Sequence, residues 1–223
     1  MSSPAAPSPQ STSSQSSSPQ ATDLPPLSWQ RWNDRYAQAN TPWDLEQPAP
    51  GLVDAVQRRV IPLTGRVAVL GCGRGHDAVF LAQQGLEVVG IDFSPLAIAA
   101  ARDLAQLNQV VVDWQQQDIF HLDASFDHRF DFVFEHTCFC AIAPEQRTAY
   151  REVVYQLLKP QGRLWAVFFT HQRSGGPPFG ISPEEIRTLF TPRFEVQTLT
   201  PLQVSIPRRQ GEEHWGEFSK IPE

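Results

Sequence analysis

The segment Val67-Ala68-Val69-Leu70 runs into Gly71-Cys72-Gly73-Arg74-Gly75-His76-Asp77, an apolar stretch closed by glycines at alternate positions. Glycine has no Cβ, so such a loop can turn sharply while its backbone comes close to a ligand. A second apolar stretch, Val88-Val89-Gly90-Ile91, ends in Asp92, 21 residues after Gly71. A carboxylate at that spacing can accept hydrogen bonds from both ribose hydroxyls of a nucleoside cofactor. Dinucleotide-binding loops read G-x-G-x-x-G and seat a pyrophosphate at the following helix. Here the pattern is G-x-G-x-G, which suits a nucleoside sulfonium with no pyrophosphate to seat. The catalytic Tyr/Lys or His pair of a nicotinamide oxidoreductase is not found either.

Other residues with chemistry in them cluster around this loop and after it. Trp32 and Tyr36 stand four apart, on one face of a helix that Ser28 can cap. Such a stripe can be core packing or a ligand wall. Trp43 lies just past the break Asn40-Thr41-Pro42, where a lid residue would sit. Asp118 follows three glutamines and is either a loop acid or a ligand contact. His136 closes the fourth predicted strand, where substrate residues collect in open parallel sheets. It can be structural or catalytic. Asp77 reads as first-turn electrostatics of the helix after the glycine loop. The three cysteines, Cys72, Cys138 and Cys140, contain no C-x-x-C pair, so a disulfide framework or a zinc site is not expected. Cys138 and Cys140 would share a face if they lay on a strand, but buried, inert thiols are the expected reading.

These residues need a scaffold, and the periodicity supplies one. Strands are predicted near Arg66–Leu70, Leu86–Ile91, Gln109–Trp114, Arg129–Glu135 and Arg163–Phe169. Helices are predicted near His76–Gln84, from Ser94-Pro95 onward, over Pro144–Leu158, and from Ser182-Pro183-Glu184-Glu185 to Phe190. Leu52, Val53, Val56 and Val60 add a further helical pattern, and Lys159-Pro160-Gln161-Gly162 a turn. The segments Phe194–Leu199 and Glu213–Phe218 are expected to pair as an antiparallel ribbon. Alternation of this kind implies an α/β, doubly wound and mostly parallel sheet with helices on both faces.

Bulk properties narrow the partners. The 223 residues carry 18 Lys+Arg against 24 Asp+Glu, a formal net charge of −6. Nucleic-acid binders usually carry a basic surface, because phosphate neutralisation supplies most of their affinity, so no nucleic acid is expected. No apolar run reaches 18 residues, so no membrane span is expected either. Residues 1–26 are Ser, Pro, Gln, Ala and Thr with no charge before Asp23, which predicts a disordered tail ahead of a single domain over 27–223. Without an apolar h-region or arginines, that tail reads as neither a signal nor a transit peptide, and a cytoplasmic monomer is expected.

The chain resembles the thiopurine S-methyltransferase superfamily, on the branch of plant-type thiol, thiocyanate and halide methyltransferases known as harmless to ozone layer. The resemblance runs from about Trp32 to Ser219. It is carried by Thr41-Pro42-Trp43-Asp44, Leu70 to Asp77, Val89-Gly90-Ile91-Asp92, Phe139 to Glu145, Leu157-Leu158-Lys159-Pro160, Gly175 to Phe179 and Ile206-Pro207-Arg208-Arg209. It implies a class I, Rossmann-like methyltransferase fold with an antiparallel C-terminal strand, and S-adenosylmethionine as cofactor. Trp32, Tyr36 and Trp43 would lie over that cofactor, where aromatic faces hold a sulfonium. Gly71 would contact its methionine part, Asp92 its ribose, and Asp118 with Ile119 its adenine, with Gly73 also among the cofactor-binding residues.

The resemblance also implies an acceptor site. Arg209 matches a family arginine that would draw an anionic acceptor; it can equally be a solvated hairpin residue. His136 stands where the halide-type relatives have tyrosine, in contact with cofactor or acceptor. Tyr36 replaces a family tryptophan, and Val69 stands where many class I enzymes place an acid. Gly176-Pro177-Pro178-Phe179 lacks the leading Asn or Asp of the amide-methylating tetrapeptide and reads as a rigid loop over the acceptor pocket. The implied reaction is methyl transfer to a small soft nucleophile (thiol, bisulfide, thiocyanate or halide) by in-line displacement. A larger metabolite, an aromatic thiol or a metalloid, and a non-catalytic nucleoside-binding regulatory role, remain as alternatives.

Overall fold

A computed structural model describes Met1 and residues 28–222 of the chain. The expected disorder of the tail therefore lies outside the described residues. Seven strands form one sheet in the order β3-β2-β1-β4-β5-β7-β6. Their ranges are β1 Arg66–Leu70, β2 Glu87–Asp92, β3 Asp113–Gln116, β4 Phe130–His136, β5 Leu158–Phe169, β6 Phe194–Pro201 and β7 Glu213–Lys220. β7 runs antiparallel to both β5 and β6, and the other pairings are parallel. The predicted C-terminal ribbon forms in this way.

The apolar residues of β1 explain why both faces must be covered. Successive strand side chains point to opposite faces. Ala68 and Leu70 enter one core with Tyr150, Val154, Ile186 and Phe190. Val67 and Val69 enter the other with Leu52, Ala55, Ala78 and Leu81. The first set comes from α5 (Arg147–Leu157) and α6 (Pro183–Phe190), the second from α2 (Pro50–Gln57) and α3 (His76–Gln83). α1 (Trp29–Ala37) and α4 (Pro95–Leu107) complete the helices and pack against each other. The predicted caps are made: Ser28 Oγ accepts from the Arg31 N–H, Ser94 Oγ from that of Ala97, and Ser182 forms a capping box with Glu185. Among the described residues no helix is long and apolar enough to cross a membrane.

Four features differ from the sequence pattern. β3 starts at Asp113 rather than Gln109, because Gln109 (φ 57°) and Val110 fold back to bond the last carbonyls of α4, leaving Val111 exposed. The helix expected from Pro144 opens with a 3₁₀ turn over Pro144–Gln146 and becomes α-helical at Arg147. The turn Lys159–Gly162 is absorbed into β5, whose register against β4 shifts between Phe130 and Phe132. Val60, at helical spacing in the sequence, lies beyond α2, past a turn at Arg59 with φ 56°.

Candidate active site

In an open parallel sheet, ligands bind beyond the strand carboxyl ends where strand order reverses. Here that point lies between β1 and β4, because β2 and β3 extend to one side and β5 to the other. A cavity of about 450 Å³ opens at this point. Every residue singled out from the sequence as a site residue lines it: Trp32, Tyr36, Trp43, Gly71, Gly73, Asp92, Asp118, Ile119, His136 and Arg209.

The glycine loop leaves no room for side chains. Gly71 has φ +56°, and a Cβ on it would lie 2.7 Å from Cys138 Sγ. Gly73 has φ +53°, and a Cβ there would meet Tyr36 Oη at 3.0 Å. Left-handed backbone costs an L-residue about 1–2 kcal/mol before any clash. We therefore expect Gly71→Ala to weaken S-adenosylhomocysteine binding at least tenfold in a fluorescence titration. Adding Cys138→Ala should recover only part of that loss, because it removes the clash and not the strain.

Asp92 ends β2 and is buried, at 7% exposure. Its Oδ2 accepts from the Gly73 N–H at 2.9 Å and its Oδ1 from that of Ser94 at 2.9 Å. Burial pushes its pKa up to about 6, against the pull of the backbone N–H groups of Ser94, Gly73 and Phe93. Each carboxylate oxygen has two acceptor sites, so capacity remains for hydroxyl donors such as those of a ribose. Asp118, beside it in the wall, accepts from the Phe120 N–H at 3.0 Å, capping the short turn that carries Ile119.

The aromatic wall comes from α1 and the strap after it. Trp32 and Tyr36 both meet the Trp43 ring edge-on, with centroids 5.0 and 5.7 Å away. The Trp43 indole N–H points at Tyr36 Oη, 3.4 Å away. The Arg35 guanidinium lies 4.5 Å from the Trp43 ring centroid, so this cluster already holds one cation. The strap is fixed through Asp44, whose oxygens lie 3.1 Å from Arg74 Nε and 3.4 Å from His76 Nε2. Together the glycine loop, the buried carboxylate and the cation-holding aromatics fit a nucleoside sulfonium.

The opposite end of the cavity is a buried polar chain. Asp77 Oδ1 accepts from the Ala49 N–H at 2.6 Å, and its Oδ2 lies 3.1 Å from His136 Nδ1. Arg209 Nη1 is 3.1 Å from His136 Nε2 and donates to Glu213 Oε1 at 3.2 Å, while Nη2 donates to the Trp43 carbonyl at 3.1 Å. Glu213 also receives the Ser205 hydroxyl. Arginine can only donate, so His136 Nε2 must present its lone pair and Nδ1 its hydrogen to Asp77. That assigns a neutral imidazole with both nitrogens engaged. Arg209, at 6% exposure, is therefore no solvated hairpin residue.

Two further placements correct or extend the sequence reading. Asp77 is more than first-turn electrostatics, because it orients His136; the separation of 59 residues hid this contact. Cys138 and Cys140 lie in the turn after β4 and not on a strand. Burial first, and the charge of nearby Glu135, raise both thiols, Cys140 to about 12, and all three cysteines are free. The thiols are inert at neutral pH. Pro177 and Pro178 do line the cavity, beside Phe169.

The fold and this site define a class I S-adenosylmethionine-dependent methyltransferase. A sequence profile of the thiopurine S-methyltransferase family matches residues 27–219, and the chain belongs to that family. Thiocyanate methyltransferase 1 of Arabidopsis thaliana is 32% identical over 194 residues, covering 85% of this chain and 84% of the relative. The "Probable thiol methyltransferase 2" of the same plant is 32% identical over 193 residues, with the same coverage. A thiopurine S-methyltransferase of Legionella pneumophila (strain Paris) is 28% identical over 184 residues, 75% of this chain and 83% of the relative. The fold is shared with the Burkholderia thailandensis 1,6-didemethyltoxoflavin-N1-methyltransferase, solved with its substrate and S-adenosylhomocysteine (TM-score 0.69, 20% identity, 87% of each chain).

Proposed function

We propose that the enzyme methylates a small soft nucleophile, a thiol, bisulfide, thiocyanate or halide, by in-line displacement. The observation that carries this is the size and lining of the cavity. At about 450 Å³ it lies toward the low end of the roughly 300–1,000 Å³ usual for small-molecule sites. A cofactor of nucleoside plus amino-acid size leaves room for only a small acceptor. The acceptor end combines the buried guanidinium of Arg209 with the apolar Phe169, Pro177 and Pro178, a lining that suits a polarisable, weakly hydrated anion. Relatives named for thiols and thiocyanate support the same reading.

Bound S-adenosylmethionine supplies an electrophilic methyl group on a sulfonium. The chain's part is to hold the acceptor in line and exclude water, which is worth up to roughly 7–11 kcal/mol where alignment is ideal. Trp32, Tyr36 and Trp43 cover the cofactor end, and the Pro177-Pro178 loop borders the acceptor end. Iodide, thiocyanate and bisulfide arrive as anions and need no base. A neutral thiol, with a pKa near ~8.5, benefits from one, and His136 is placed to position or deprotonate it once Arg209 releases Nε2.

Incubation with S-adenosylmethionine and, in turn, iodide, thiocyanate, bisulfide and a small aromatic thiol tests the acceptor. Headspace analysis and S-adenosylhomocysteine release are the readouts. Turnover of a small anion is expected; turnover of the aromatic thiol alone would place the enzyme with the larger acceptors. Cofactor binding without turnover of any of the four would overturn the acceptor proposal. His136→Phe should slow a thiol acceptor tenfold or more at pH 6–7, with rates on thiocyanate changing by less than about threefold. An unchanged thiol rate across pH 6 to 9 would remove His136 from the chemistry.

A further inference from the structure

α1 carries two of the three aromatic residues of the cofactor wall, yet none of its residues is buried. Trp32 and Tyr36 are only half-buried against the body, and a polar contact also holds the helix. Asn33 Oδ1 accepts from the Ser94 hydroxyl at 2.9 Å and from the Leu96 N–H at 3.2 Å, both at the start of α4. The Ser94 hydroxyl meanwhile accepts from the Ala97 N–H as the cap of that helix. Its hydrogen is therefore free to go to Asn33, and both capabilities of the hydroxyl are used.

The same serine is bound to the ribose carboxylate, since its N–H donates to Asp92 Oδ1. Asp92 Oδ2 holds the Gly73 N–H, and Tyr36, one turn along α1 from Asn33, brings its hydroxyl against Gly73. Among its contacts, α1 thus touches Ser94 and Gly73, and both are hydrogen-bonded to Asp92. We propose that Asn33 is a latch that couples occupation of Asp92 to closure of the aromatic helix α1 over the cofactor. Ribose hydroxyls donating to Asp92 fix the position of Ser94, which fixes the partner that Asn33 grips. Trp32 and Tyr36 are then held over the site. Asn33 touches neither cofactor nor acceptor in this role; it is a positioning residue. The proposal takes S-adenosylmethionine as the cofactor and adds how the wall over it is held shut.

The test uses the full chain and S-adenosylhomocysteine as the binding probe. Asn33→Ala should weaken binding about five- to tenfold by tryptophan fluorescence and raise KM for S-adenosylmethionine to match. kcat at saturation should change by less than about twofold. In limited trypsin digestion, S-adenosylhomocysteine should protect Arg31 and Arg35 of α1 in the wild type and not in Asn33→Ala. Asn33→Asp keeps the acceptor oxygen and places it at the start of a helix, where negative charge is favoured, so it should restore binding and protection. Wild-type binding and protection in Asn33→Ala, with the melting temperature unchanged, would overturn the latch. So would an Asn33→Asp protein that behaves like Asn33→Ala. A wild-type chain that binds no S-adenosylhomocysteine would instead overturn the cofactor assignment, and the latch with it.

Discussion

Replacing Asp92 by asparagine is expected to weaken S-adenosylhomocysteine binding by roughly a hundredfold at pH 8 and to abolish its dependence on pH. The buried carboxylate keeps acceptor capacity for the ribose proposed to bind there, and a hydrogen bond to a charged group contributes about 1.5–3 kcal/mol. Asparagine keeps one oxygen, enough for the Ser94 N–H, but turns a donor toward the Gly73 N–H that the lost oxygen served. The glycine loop must then give way, adding to the loss. Wild-type pH dependence follows from burial, which lifts Asp92 to about 6. A ligand that needs the ionised form binds roughly tenfold more weakly at pH 5 than at pH 8, since only about a tenth of the sites is then ionised. The asparagine variant has no such proton and should titrate flat. Fluorescence titrations at the two pH values measure both effects, and a tenfold slope surviving in Asp92→Asn would assign the pH dependence to another group.

The sheet was legible because its signals are local. Apolar strands ending in glycine or aspartate, and helices opening on Ser-Pro, carry their boundaries within a few residues, as β2 and α4 show. The positions of the proposed cofactor residues were legible for the same reason: Gly71, Gly73 and Asp92 are fixed by the ends of β1 and β2 and line one cavity. What was not legible is pairing across the fold. Nothing near Asp77 announces His136, and Arg209 reaches His136, Glu213 and the Trp43 carbonyl only after the hairpin folds back. Val110 and Val111 misled in the opposite way, because their β-propensity was overridden by the C-terminal bonds of α4. Glu135 gave no sign at all, being one of two acids in β4, beside a more conspicuous histidine.

Glu135→Gln is expected to stabilise the protein by about 3 kcal/mol at pH 8 and by less than about 1 kcal/mol at pH 5. Glu135 is 1% exposed, and its Oε2 accepts the N–H groups of Cys138 (3.2 Å) and Phe139 (2.9 Å). Oε1 is buried without a protein partner, as is the Tyr150 hydroxyl, whose ionisation burial and then the Glu135 charge push up. Burial lifts the Glu135 carboxyl to about 7, outweighing the two backbone N–H groups. A carboxyl whose pKa is higher folded than unfolded keeps its proton in the folded state while the unfolded chain loses it. Stability therefore falls as pH rises through the window from about 4.5 to 7, and the full penalty stands above 7. Glutamine keeps the acceptor for the two N–H groups and is neutral at every pH, so the penalty disappears where it was largest. Glu135→Ala separates charge from hydrogen bonding: it strands both N–H groups and should destabilise at both pH values. Denaturant unfolding of the three proteins at pH 5 and pH 8 decides the matter. An equal effect of glutamine at both pH values would mean that the ionised carboxylate finds a partner inside the fold. What the carboxylate holds in place is the turn that sets Cys138 against Gly71, so its cost in stability is spent directly beneath the glycine loop.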